Sequence, residues 1–333
     1  MNRFLIVSCL CVCFIVGSPR YAYAQQDAQF TQYMFNPLYL NPAYAGVTKK
    51  TEATLVHRTQ WAAYQPTFDD GGAPATQVFA FSTQLPKLKS GIGIHLVNDV
   101  LGPMRNLEAQ LAYSYHIAMK NNSTLSIGLR GGVYMRSYDY AKLRFRNPDD
   151  PYNTGAGKES DLVPDGAVGV YYDNPKFFAS VSANHLVKSG FQYKGAASAV
   201  SLLNVEALAN SMYLFGGYHI NLSSDLKLTP TALIKTTAFK AYSFDAGAWL
   251  TYQEKFWGGM SYRNQESVNA FVGMYIPQGK GSKKMFRIGY SFDYIISGKI
   301  AKQPTSHEVL LAYTIPVPAI KLPSIIRTPR FRH

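Results

Sequence analysis

Thr124-Leu125-Ser126-Ile127-Gly128-Leu129-Arg130-Gly131-Gly132-Val133-Tyr134-Met135-Arg136-Ser137-Tyr138 alternates with period two. One side of that ribbon carries Leu125, Ile127, Leu129, Val133 and Met135. The other carries Ser126, Arg130, Tyr134, Arg136 and Tyr138. Successive side chains of a β-strand point to opposite faces, so this is a strand with one greasy and one polar side. Its polar side holds arginines and bulky tyrosines, and its apolar side is aliphatic throughout. The same alternation returns in 106–119, 242–254 and 283–296.

Fourteen such segments are expected, near 51–61, 75–85, 90–99, 106–119, 123–140, 164–174, 176–187, 207–222, 224–237, 242–254, 255–266, 267–278, 283–296 and 307–316. A soluble sandwich would turn its polar side to water. Here the polar side collects Glu108, Arg130, Arg136, Lys227, Lys235, Asp245, Arg263, Arg287, Asp293 and Glu308 among small residues. Apolar outside and polar inside is the pattern of a transmembrane barrel. Lipid offers no partner to an open sheet edge, so the sheet must close. The fold expected is therefore all-β, an outer-membrane β-barrel of about 14 antiparallel strands over residues 51–316. Connections 62–74, 141–163, 188–206 and 297–306 are long, and those at the other end are short. This is the loop asymmetry of such barrels, with long loops outward and both chain ends periplasmic. Pro230 inside the ninth segment is the weak point, because proline cannot donate to a ladder.

Composition agrees. Only 16% of the 333 residues are charged and 14% are aromatic, with 24 Tyr and 19 Phe, which excludes a disordered chain. Cys9, Cys11 and Cys13 lie in an apolar run that follows Asn2-Arg3 and precedes Ala22-Tyr23-Ala24. Those features describe a signal peptide over 1–24, which would leave no cysteine for a disulfide, thiolate or metal site. The formal charge of +13 suits anionic lipid or an acidic protein; export makes nucleic acid the poorest partner.

Two flanks remain. Residues 25–50 include Asp27-Ala28-Gln29-Phe30-Thr31-Gln32-Tyr33-Met34-Phe35-Asn36-Pro37-Leu38-Tyr39-Leu40-Asn41-Pro42-Ala43-Tyr44-Ala45-Gly46. Phe30, Tyr33, Met34 and Pro37 have helix-like spacing, and the two Asn-Pro steps stop any helix. The expectation is a short periplasmic plug or brace at the inner mouth, formed by Gln29, Phe30, Tyr33, Asn36, Pro37, Asn41, Pro42, Tyr44 and Gly46, with Arg58 and Trp61 supporting it. Residues 317–333 form a Pro-rich basic tail with Lys321, Arg327, Arg330 and Arg332. It reads either as a disordered end or as a dock for an acidic partner.

The 27–46 stretch resembles the N-terminal signature of the PorP/SprF family, outer-membrane proteins of the type IX secretion system of Bacteroidetes. His57-Arg58-Thr59-Gln60-Trp61 is similar to that family's Arg-Asn-Gln-Trp element, with Thr59 where Asn is usual. Ser306-His307-Glu308-Val309-Leu310-Leu311 and Tyr313 resemble its last strand, and Thr328-Pro329-Arg330-Phe331 its tail. The resemblance implies a role in export or surface anchoring of a cognate secreted protein with a C-terminal sorting domain, such as a gliding adhesin. It also implies contact with other secretion components. The competing expectation is a stand-alone channel for small hydrophobic or anionic solutes.

Neither catalysis nor a cofactor is expected. His95, His116 and His219 fall at inward positions, where a lipid-facing hydrolase site would not be. His307 and Glu308 are neighbours on a strand and so point to opposite faces. Asp149, Asp150, Glu159 and Asp161 in the 141–163 connection offer oxygen ligands for calcium without EF-hand spacing, and a solvated outer loop is the plainer reading. The inward charges either pair among themselves, since buried charge must be compensated, or line a path for an anion.

Overall fold

A computed structural model describes residues 27–62, 64, 73–143, 147, 157–193, 207–279, 282–297 and 305–318. Its strands are β1 (Lys50–Thr59), β2 (Ala75–Leu85), β3 (Ser90–Leu101), β4 (Met104–Ala118), β5 (Thr124–Asp139), β6 (Lys158–Asp173), β7 (Phe177–Asn184) and β8 (Ser211–Tyr218). Then come the two-residue β9 (Ile220–Asn221), β10 (Leu226–Thr237), β11 (Ala241–Tyr252), β12 (Phe256–Arg263), β13 (Ser267–Pro277), β14 (Met285–Ile295) and β15 (Thr305–Pro316). Each is antiparallel to its neighbours, and β1 pairs with β15 from Lys50↔Pro316 to Thr59↔His307, which closes the barrel.

The barrel has fourteen staves because β8 and β9 are two pieces of one. Pro230 explains the break. It lies between the β10 pairs Thr231↔Gly217 and Leu228↔Ile220, where its missing N–H leaves the ladder nothing to accept. A second proline moves a boundary. Pro164 was expected to begin the sixth strand, but β6 starts at Lys158, so Glu159 and Asp161 belong to the wall and not to a loop. Pro164 is tolerated because it lies beyond the last β6–β7 pair, Val168↔Ala183, where no strand needs its N–H. Asp149 and Asp150 lie outside the described residues.

The faces are as the alternation predicts. On β4, Leu111 is 66% exposed and Ala112 4%. The outward side chains, such as Ile92, Ile94, Leu129, Val170, Leu214 and Val272, are apolar and exposed. Arg130, Arg136, Lys235, Asp245, Arg263, Asp293 and Glu308 are buried inside. Lys227 is the exception. It is exposed at the very start of β10, not enclosed in the lumen. The two ends of the barrel differ. One carries the short turns between β2–β3, β4–β5, β6–β7, β9–β10, β11–β12 and β13–β14. The other carries the long connections after β1, β5, β7 and β14.

Candidate functional site

Residues 27–47 run lengthwise through the lumen. The segment is not a helix. A 3-10 turn at Tyr33–Phe35, one α-turn at Pro37–Leu40 and a second 3-10 turn at Pro42–Tyr44 are separated by the Asn-Pro steps. Such short turns leave many carbonyls without internal partners, and a buried backbone group must find one. The wall supplies them. Arg263 donates to the Phe30 carbonyl (2.8 Å), Arg287 to Phe35 (3.1 Å), and Arg130 to Leu38 and Tyr39 (3.2 and 3.1 Å). Ser182 donates to Leu40 (2.7 Å) and Ser114 to Ala43 (2.9 Å).

Near the long-loop end the segment is gripped at the β1–β15 seam. Arg58 reaches Asp293 at 2.6 Å and Glu308 at 3.3 Å, all three side chains being almost fully buried. Glu308 accepts the backbone N–H groups of Thr31 and Gln32 at 2.8 and 2.9 Å, and the Thr31 hydroxyl donates to Asp293 at 2.6 Å. A second cluster joins Asp245 to Lys235 (2.7 Å) and Arg263 (3.1 Å), and Lys235 also donates to the Gln29 side chain (3.4 Å). In a third, His185 bridges Asp27 (2.7 Å) and Asp165 (2.8 Å), and Tyr213 hydrogen-bonds Asp27. Burial alone would lower the His185 imidazole, but the Asp27 charge and the hydrogen bonds to both aspartates raise it well above the usual 6.5. Burial would raise Asp27; the imidazolium pulls it down to about 2.

Apolar contacts complete the fit. The Phe35 ring lies 4.2 Å from Trp257 and 5.3 Å from Trp249, centre to centre, and Tyr33 packs on Phe215. Asn41 accepts from Ala43 N–H through its oxygen and donates its amide to the Val170 and Val181 carbonyls. Tyr44 meets Tyr171. Gly46 takes the left-handed conformation, φ 75°, and donates to Ser82 at 2.8 Å. The wall makes room with glycine: a Cβ on Gly91, Gly128 or Gly169 would collide with Ala45, Ala43 or Asn41.

The expected motif residues thus converge on one element, and Arg58 is its principal clamp. The expectation of a brace confined to the inner mouth is corrected, because the segment climbs from the short-turn end at Gly46 to the long-loop end at Asp27. Trp61 lies past β1, its backbone N–H donating to the Ser306 hydroxyl and its ring beside Tyr64, so it braces the seam. Arg136 binds Asn106 (3.0 Å) and lies 4.7 Å from the Phe191 ring. Glu108 is half-buried on β4. The expected signal segment, residues 1–24, and Arg327, Arg330 and Arg332 lie outside the described residues.

A family model, that of the type IX secretion system membrane protein PorP/SprF, matches residues 22–313, which takes in the lumen segment and all of the wall but the last three residues of β15. The chain belongs to the PorP/SprF family. Among curated proteins no match is found. Among solved structures the chain is similar to the CymD monoaromatic hydrocarbon channel (11% identity, TM-score 0.49, covering 86% of this chain and 93% of that one). It is likewise similar to the toluene transporter TodX of Pseudomonas putida (8%, 0.49, 83% and 92%) and to a Pseudomonas aeruginosa FadL homologue (9%, 0.44, 83% and 92%).

In this PorP/SprF barrel the sequence reading missed the partners of the segment's two ends. Asp27 and His185 are 158 positions apart, and Thr31 and Glu308 are 277 apart. One signal was available: Gly91, Gly128 and Gly169 all fall on the inward face, where a wall facing only water has no need of glycine.

Proposed function

We propose that this protein sits in the outer membrane with both chain ends in the periplasm, and that it acts in type IX secretion as a closed, non-catalytic accessory barrel. Its task is to help export a cognate secreted protein, or to anchor one at the surface, in concert with other components of the machine. The observation that carries this reading is the lumen segment. Backbone carbonyls from Phe30 to Ala43 are tied to the wall, and three ionic clusters lock its upper half. A passive pore would need that segment to leave, so a stand-alone solute channel is the weaker reading. His95 and His116 face the filled lumen and not the lipid, which suits a protein without hydrolytic work.

The test is a deletion of the gene with analysis of the cell surface and periplasm. Loss of one surface protein, with its accumulation inside and restoration by the wild-type gene, supports the proposal. An unchanged surface proteome, with free solute flux through the purified wild-type barrel in liposomes, rejects it in favour of the channel.

A further inference from the structure

The short-turn end carries a charge pattern that the filled lumen does not use. Lysine recurs on its turns: Lys89, Lys120, Lys176, Lys255 and Lys284 are exposed there, and Lys227 flanks the remaining turn. Their backbones are held in place. Lys89 donates its N–H to Pro86, Lys255 to Tyr252, Lys176 to the Asn174 side chain and Lys284 to the Ser282 hydroxyl. Lys89 itself, and Gln253-Glu254 beside Lys255, are in the left-handed region that tight hairpins require. Among the described residues the acids at this end are fewer: Asp173, Asp225 and Glu254, with Glu52 already turned to Arg287. At the long-loop end, among the described residues, Arg105, Lys142, Lys158, Lys188 and Lys240 stand against Asp139, Glu159, Asp161 and Glu266, a near balance.

We propose that this end is a docking face for the acidic surface of a periplasmic protein. The proposal rests on the orientation given above. A ring of lysines at a membrane boundary would also meet lipid phosphates, and two observations favour protein. First, Lys49 is not on the lipid-facing perimeter. It lies in the turn by which the lumen segment joins the wall, its N–H on the Gly46 carbonyl (3.1 Å) and β1 beginning at the next residue, and it is exposed there at the edge of the mouth. Second, the described chain ends at Pro318 on this same face, and residues 319–333 add Lys321, Arg327, Arg330 and Arg332 without one acid. A small anion drawn to this floor finds the lumen behind it filled. A broad acidic face instead meets cations at the edge of the mouth and all round the rim, the arrangement that speeds and orients association.

The experiment places a photo-crosslinking residue at Lys49, Lys176 or Lys284 in the full-length protein in the bacterium that makes it. The expected result is a single protein adduct shared by all three positions, identified by mass spectrometry as one acidic periplasmic protein. Combining Lys89→Glu, Lys120→Glu and Lys255→Glu should cut that adduct by about tenfold or more while the barrel stays heat-modifiable. The Gln versions serve if charge reversal impairs folding. Adducts to lipid alone, no adduct, or an adduct indifferent to the substitutions overturns the proposal. A cysteine in place of Lys284 separates the two readings. Labelling by a membrane-impermeant maleimide on intact cells overturns the orientation itself, whereas protection without a protein adduct overturns only the docking face.

Discussion

Arg58 and Glu308 oppose one another across the seam where the first strand closes on the last, with 3.3 Å between guanidinium and carboxylate. The pair is shared with Asp293 and with the backbone of Thr31 and Gln32, so one residue couples barrel closure to the seating of the lumen segment. Arg58→Met leaves two buried carboxylates facing each other. Breaking a buried ion pair from one side costs roughly 3–5 kcal/mol, more than a well-packed replacement recovers. The expected outcome is a barrel that loses its heat-modified mobility at clearly lower temperature. Arg58→Lys should recover little, because a single ammonium cannot serve both carboxylates and the Thr31 hydroxyl in a fixed fork.

Gly128→Val tests whether the lumen is closed by the segment. A Cβ there falls on the backbone of Ala43, while valine suits a strand, so the wall survives and the segment is expelled. Conductance across a planar bilayer should rise about tenfold or more over the wild type, on the scale of the open pores that such barrels form. An unchanged baseline in a folded variant would show that the segment does not set permeability.

Phe35 sits between two of the chain's three tryptophans. Phe35→Ala should cost about 3–5 kcal/mol of segment packing, as for other buried aromatic truncations. Intrinsic fluorescence should shift to the red as Trp249 and Trp257 lose their dry neighbour. The same shift should appear in Gly128→Val, because both changes free the same surface.

The Asp27–His185–Asp165 bridge makes the upper anchor sensitive to pH in a fixed direction. His185 is raised in the folded state, so its contribution is complete below the usual 6.5 and fades as pH climbs through the higher folded value. Asp27 is depressed to about 2, so its contribution is present above the usual 3.8 and is lost as pH falls toward 2. The protection factors of the amides at residues 28–31, taken against the intrinsic exchange rate at each pH, should therefore be highest in mildly acidic to neutral solution and should fall on the alkaline side. His185→Gln should remove that alkaline fall in protection. Protection factors that stay constant with pH in the wild type contradict the bridge.

The wall was legible in the sequence because a barrel in lipid inverts the ordinary pattern, and fifteen residues from Thr124 to Tyr138 display both faces at once. Pro164 and its acidic neighbours hid the start of β6, since proline and carboxylates read as a loop until the missing partner strand on that side is known. The 27–46 stretch was legible as an element and as a family signature. Its path was not. Helix-like spacing in Phe30, Tyr33 and Met34 arises here from successive short turns, and most of the contacts that hoist it through the lumen are with residues far along the chain. The rim formed by the lysines of the turns is hidden in the sequence for a related reason. Each looks ordinary until closure brings the turns to one rim.

That Thr31 is held by residues 293 and 308 has a consequence for biogenesis. An early part of the chain is thus fastened in part by the last strands to be made. A translation product cut short before the final hairpin can neither shut its cylinder nor complete the grip on Thr31 and Gln32, although Arg58, Arg263 and His185 would still be present to hold other points. The same two carboxylates therefore finish the wall and the fastening of its stopper in one step.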